Sequence, residues 1–169
     1  MTTALPRHTL HRRTVLALAL LPAAAHADPA PVIDWPPLPW LGEAGVGPQG
    51  LQGVPAVVVF WASWCGYCKR HNVHVEQLFR ASDPQRLRVL GVVDAADAAA
   101  ARRAMAAQRL HFPVALDDGR LRRQFSSRRV VPLTSSIGAD GRRGLVIPGE
   151  MSEDDVLQFS RLALPPRAA

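Results

Sequence analysis

The chain has two cysteines, Cys65 and Cys68, spaced as Cys-Gly-Tyr-Cys. They stand where the apolar run Val54 to Trp61 gives way to a stretch of helical pattern. Two thiols at this spacing can trade electrons with a foreign disulfide. The junction explains why the pair belongs there. The first turn of a helix has backbone N–H groups without partners, and the helix dipole is positive at that end. Both favour a thiolate at Cys65. Cys68 lies one turn in, on the same face, and should be the less exposed. Cys65 is then the attacking thiol, and Cys68 resolves the mixed disulfide.

The spacing Cys65-x-x-Cys68-x-x-His71-x-x-His74 offers a second chemistry, a copper or zinc site. Steps of three residues drift by about 60° each around a helix. Four such side chains cannot meet at one ion, but Cys65, Cys68 and His71 could. Lys69 follows the second cysteine, so covalent haem attachment is not expected. His71 lies one turn beyond Cys68, where it either takes a proton from that thiol or is a solvated surface histidine. His74 reads as surface and His111 as loop packing.

The elements that would hold the pair can be read around it. Val54 to Trp61 suits a strand buried on both faces. Cys68 to Phe79 reads as a helix, with Val73, Val75 and Leu78 as its apolar contacts. Leu87 to Val93 is a second buried strand, and Ala95 to Leu110 a second helix with Arg102, Arg103 and Arg109 outward. Phe112 to Leu116 is short and extended. Leu133 to Ile137 and Gly144 to Ile147 flank Asp140-Gly141, a hairpin signal. Ser152 and Asp155 cap a last helix reaching Leu164. The order β-α-β-α then β-β-α implies an α/β fold. Its mixed sheet has a parallel half and an antiparallel half, with helices on both faces.

Length and charge bound the rest. At 169 residues the chain suits one domain with its own core. With 48% hydrophobic and 20% charged residues, general disorder is excluded. Residues 1–27 read as a signal peptide: Arg7, Arg12 and Arg13, an apolar run from Val15 to Leu21, Pro22, then Ala25-His26-Ala27. Cleavage after Ala27 would leave Asp28 first. The loss of three arginines and no acid takes the net charge from +6 to +3. That is too little for a nucleic-acid footprint, so no nucleic-acid partner is expected. Arg12-Arg13-Thr14-Val15-Leu16 also resembles a twin-arginine signal, leaving the Sec and Tat routes both open. Residues 28–50 form a proline-rich arm, a poor core candidate, with Trp35 and Trp40 as packing anchors. Residues 51–169 hold the domain.

Several segments carry a family resemblance. Trp61-Ala62-Ser63-Trp64-Cys65-Gly66-Tyr67-Cys68 resembles the active-site segment of TlpA/ResA-type periplasmic thioredoxin-like proteins, relatives of the cytochrome c maturation thioredoxins. Arg129-Val130-Val131-Pro132-Leu133-Thr134 resembles their cis-proline loop. Phe112 to Asp117 and Ala139 to Arg142 match the segment before that loop and the hairpin turn. The resemblance covers residues 50–164. It implies a thioredoxin fold and thiol–disulfide exchange, with no cofactor beyond the Cys65–Cys68 redox disulfide. It also implies a groove formed by Trp64, Gly66, Tyr67, Val131 and Pro132, in which a client strand pairs with the Val131 backbone. The expected partners are client proteins with oxidised cysteines, apocytochrome c or copper-site proteins among them, and a DsbD- or CcdA-like membrane donor. The expected compartment is the periplasm. The acid many relatives carry three residues after the second cysteine is here His71. Val59 stands where thioredoxin has a buried Asp, and Val73 where many members place a Pro. Finally, Arg120, Arg122, Arg123, Arg128 and Arg129 run up to the loop, either as a solvated surface or as a basic rim that steers acidic partners.

Overall fold

The computed structural model describes residues 30–41 and 51–164. The expected signal peptide lies outside the described residues. Five strands form one sheet in the order β3-β2-β1-β4-β5. They are β1 (Ala56–Phe60), β2 (Arg88–Asp94), β3 (Val114–Asp117), β4 (Leu133–Ile137) and β5 (Arg143–Pro148). The first three are parallel, whereas β4 runs antiparallel to β1 and β5 antiparallel to β4. The helices are α1 (Gly66–Ala81), α2 (Ala98–Gln108), α3 (Arg120–Arg123) and α4 (Glu153–Leu157), with short 3₁₀ turns at Ala95–Asp97 and Gln158–Ala163.

Strand β1 is buried along its whole length, as a central strand with covered faces must be. Its alternation sorts two cores. Val57, Val59 and then Trp61 face α1, α2 and the C-terminal helix, packing with Cys68, Val75, Leu78 and Phe159. Ala56, Val58 and Phe60 face the other side, with Leu90, Leu121, Phe125 and Leu133.

The arm corrects one expectation. Its prolines do prevent a helix, yet Ile33 is buried in the second core, with Trp35, Leu38 and Trp40 packed on the same cluster. Proline removes N–H donors, but it does not prevent burial of a segment that pairs through its remaining groups. The Ile33 and Leu41 amides donate to Gly141 and Val114 carbonyls, and Pro31 and Pro39 accept from Arg143 and Leu116. The arm thereby covers the free edge of β3 and the tip of the β4–β5 hairpin.

Helix α1 sets the direction of the site, and buried polar contacts fix it. At its far end Glu76 Oε2 accepts the His111 and Phe112 amides at 2.7 and 3.2 Å, while Oε1 pairs with Arg80. His111 is exposed and also meets Glu76 through Nδ1. Val73, expected as an apolar contact, is 48% exposed. The buried stripe runs through Cys68, His71, Asn72, Val75 and Leu78, and Val73 lies about 100° to its side.

Gly91 of β2 marks the tightest point beneath the site. A methyl group there would lie 2.8 Å from Phe112 Cε2 and 2.8 Å from Trp61 Nε1. We expect Gly91→Ala to lower stability by about 1–3 kcal/mol, the usual range for forcing extra volume into a packed core. A shift of the urea midpoint at unchanged slope measures it, and an unshifted midpoint would show that the site has room.

Candidate active site

The chain leaves β1 at Phe60 and turns through Ala62–Trp64 into α1. The turn is tied down from a distance. Asp97, between β2 and α2, accepts the Ser63 amide at 2.8 Å and the Ser63 hydroxyl at 2.6 Å. Cys65 is the N-cap of α1 in extended backbone, and its sulfur accepts the Cys68 N–H at 3.1 Å. A sulfur thus takes the position that Ser or Asp commonly fills, satisfying one of the orphan donors of the first turn.

Both cysteines are free thiols, Cys65 7% and Cys68 1% exposed. The order of exposure is the expected one. Burial, and next the hydrogen bond from its partner sulfur, push the Cys68 thiol far above its ordinary range. Cys68 therefore stays protonated until a reaction draws its proton away. The Val131–Pro132 bond is cis, and the Cys65 thiol points to the Val131 carbonyl with Sγ 3.7 Å from the oxygen. The structure thus brings Cys65, Cys68, Val131 and Pro132 together, although 66 residues separate Cys65 from Val131. Trp64 and Tyr67 flank the pair and are 78% and 63% exposed. A cleft of about 600 Å³ opens beside them, lined by Trp61, Trp64, Val131, Arg123 and Arg129 among others. Gly66 begins α1 with open space where a side chain would stand.

His71 matches neither description drawn from the sequence. It is fully buried. Nδ1 accepts the Met151 amide at 3.3 Å, which leaves Nε2 to carry the proton and donate to Thr134 Oγ1 at 2.9 Å. Both nitrogens are occupied away from the cysteines, so His71 ties α1 to β4 and to the start of α4. A metal site built on Cys65, Cys68 and His71 would need one of those nitrogens. Among the described residues no group of three or more His, Cys, Asp or Glu side chains is placed to hold a metal ion. His74 is partly exposed, 3.8 Å from Glu153.

Of the basic run, Arg120 pairs with Asp118 and Arg122 turns inward, while Arg123, Arg128 and Arg129 are exposed. The Ser63–Asp97 tie gave no signal in the sequence. A contact across 34 residues between common polar types has no spacing to betray it.

Burial, and secondarily the nearby charge of His74, holds His71 down to about 4. The unfolded chain therefore binds this proton near pH 6.5 while the folded chain does not until about pH 4. The stabilisation is complete above pH 6.5 and declines as pH falls toward 4. We expect up to about 3 kcal/mol of stability to be lost across that window. His71→Gln should flatten the slope in unfolding curves taken over the same pH range, and an unaltered slope would assign it to other groups.

The comparisons with known proteins fit this geometry. The AhpC/TSA family model matches residues 44–142. The thiol-disulfide oxidoreductase ResA of Bacillus subtilis strain 168 is 24% identical over 115 residues, covering 68% of this chain and 64% of that protein. ResA of Halalkalibacterium halodurans is 27% identical over 115 residues, covering 68% and 65%. The match thus spans slightly less than two thirds of these curated relatives. A thiol:disulfide interchange protein of the thioredoxin family from Chlorobium tepidum has a similar structure, with TM-score 0.67 and 23% identity, covering 82% of this chain and 99% of that one. A secreted disulfide oxidoreductase of Mycobacterium tuberculosis, described as homologous to E. coli DsbE, gives TM-score 0.63 and 24% identity, covering 73% and 92%. These likenesses establish the thioredoxin fold that the family resemblance implied, with the mixed sheet expected from the order of elements. With more than half its length matched by the family model, and its cysteine pair at the head of α1 facing a cis-proline loop, the chain belongs to the AhpC/TSA family of thioredoxin-like proteins.

Proposed function

We propose that this protein is a thiol–disulfide oxidoreductase that reduces client disulfides in the periplasm. The observation that carries the reading is the position of Cys65 Sγ. It caps α1 and lies 3.7 Å from the carbonyl just before the cis proline. A client segment lying along Val131 would bring its disulfide onto that sulfur.

The exchange then runs in two displacements. The Cys65 thiolate attacks one sulfur of the client disulfide. A Cys65–client bond forms, the client S–S bond breaks, and the first client thiolate leaves. Cys68 then attacks Cys65 Sγ. The Cys65–Cys68 bond forms, the mixed disulfide breaks, and the second client thiolate takes up the proton that Cys68 gives up. Two electrons pass to the client, and the pair is left oxidised. Burial of Cys68 delays the second step until the mixed disulfide is in place. A dithiol donor restores the reduced pair by the reverse sequence.

The direction is argued from charge. A strong oxidant stabilises its reduced form with cations close to the nucleophilic thiolate. Gly66 and Tyr67 bring no charge between the cysteines, Lys69 lies beyond them, and His71 is neutral near pH 7. The arrangement favours a reducing pair, fed by a membrane donor of the DsbD or CcdA kind. The clients are proteins with oxidised cysteines, such as apocytochrome c or copper-site proteins. The leader-like residues 1–27 support export. Among the described residues no helix is long and apolar enough to cross a membrane.

Two experiments test the reading. Cys68→Ser should accumulate mixed disulfides with clients, while Cys65→Ser should not. Accumulation on Cys65→Ser alone would reverse the roles. In cells, trapping free thiols with a mass tag should find the pair mostly reduced, and oxidised once the membrane donor is deleted. A pair that stays oxidised in wild-type cells would make the protein an oxidase or isomerase.

A further inference from the structure

One member of the basic run is not part of a solvated surface. Arg122 is half-buried, and its guanidinium lies 5.3 Å over the Phe60 ring. Its Nη2 donates to the Arg128 carbonyl at 3.2 Å and also to the Val130 carbonyl. Its own amide donates to Asp117, so α3 holds the base of this side chain in place. The loop that it reaches is otherwise thinly tied. Arg128 N–H donates to Ser126 Oγ within the loop, and Gly149 N–H donates to Pro132 at the far end.

Peptide planarity gives the Val130 contact its consequence. The Val130 carbonyl and the Val131 N–H belong to one rigid trans unit and point opposite ways. Only the next bond, Val131–Pro132, is cis. Holding the Val130 oxygen against α3 therefore turns the Val131 N–H away from α3. That N–H has no hydrogen-bond partner among the described residues. On its other side Val131 presents its carbonyl to Cys65. Val131 thus keeps its donor for an incoming strand beside the carbonyl that meets Cys65, and Arg122 fixes the plane that carries the donor.

We propose that Arg122 is a positioning residue that sets the Val131 edge to receive an extended polypeptide, and so makes the site selective for polypeptide disulfides over small-molecule ones. This rests on the exchange reaction proposed above. A small disulfide needs only the Cys65 sulfur. A polypeptide client gains in addition a backbone hydrogen bond from the Val131 N–H, and that bond depends on the orientation of one peptide plane. Arginine suits the task because the two N–H bonds of Nη2 meet two carbonyls in a fixed plane while the guanidinium face rests on an aromatic ring. Lysine would donate from a rotating ammonium without that fixed plane or that stacked face.

The test compares two probes on the wild-type protein, Arg122→Met and Arg122→Lys. One is a short extended peptide whose cysteine carries a thionitrobenzoate disulfide. The other is the symmetrical small disulfide of the same chromophore. For Arg122→Met the peptide KM should rise about 3- to 10-fold, the loss of one oriented hydrogen bond, with kcat held. The ratio of peptide to small-disulfide kcat/KM should fall by the same factor. Arg122→Lys should recover part of it. The small-disulfide rate reports whether each variant is folded. Equal losses on both probes in both variants would make Arg122 a fold-holding residue and overturn the inference. An unmoved peptide KM in Arg122→Met would overturn it too. A wild-type protein that reduces neither probe would instead sink the oxidoreductase reading itself.

Discussion

The N–H of Cys68 donated to the sulfur of Cys65 is the contact on which the site is organised. It decides where α1 begins, because a helix starts where its first orphan amides find an acceptor. It also sets the two cysteines apart. The capping residue stands in extended backbone at the end of the loop, and the residue three later lies deeper in the core. One hydrogen bond therefore gives two identical side chains different surroundings, with Cys65 at the mouth of the helix and Cys68 beneath it. Trp61 beneath the loop, the Ser63–Asp97 tie and the β4 end at Pro132 all serve to keep that start in place.

The rest of the fold is largely a means of holding α1 at a fixed angle to β4. His71 reaches Thr134 and Met151 at one end of the buried stripe, and Glu76 reaches the start of β3 at the other. These are buried polar contacts with each partner satisfied, and such contacts define orientation more sharply than apolar packing does. Their placement on the helix face that carries Cys68 couples that thiol to the strand that follows the cis-proline loop.

Much of this was legible in the sequence, for identifiable reasons. The apolar run before Cys65 announced a central strand, and Asp140-Gly141 announced the hairpin, because period and turn chemistry are local. The cis bond at Pro132 came only through family resemblance. The role of His71 is not legible in the sequence, since a histidine three residues after a cysteine looks the same whether it faces water or a neighbouring strand. Arg122 was hidden for a different reason. Its partners are backbone carbonyls, which every residue has, so no residue type marks them. The burial of the arm is likewise illegible, because its prolines speak about helix formation and say nothing of burial.

The arm has one more consequence, for the order in which the chain is made. Ile33 belongs to a core completed by Leu133 and Ile137, and its amide bonds to Gly141, more than a hundred residues away. The opening part of the domain is therefore closed by nearly the last. A nascent chain that has reached β3 can pair only the Pro39–Leu41 end of its arm, leaving the Ile33 end unpartnered and the sheet without β4, the strand that pairs with its central strand. The fold therefore cannot be completed until β4 and β5 have been made, and any shorter chain carries an open sheet.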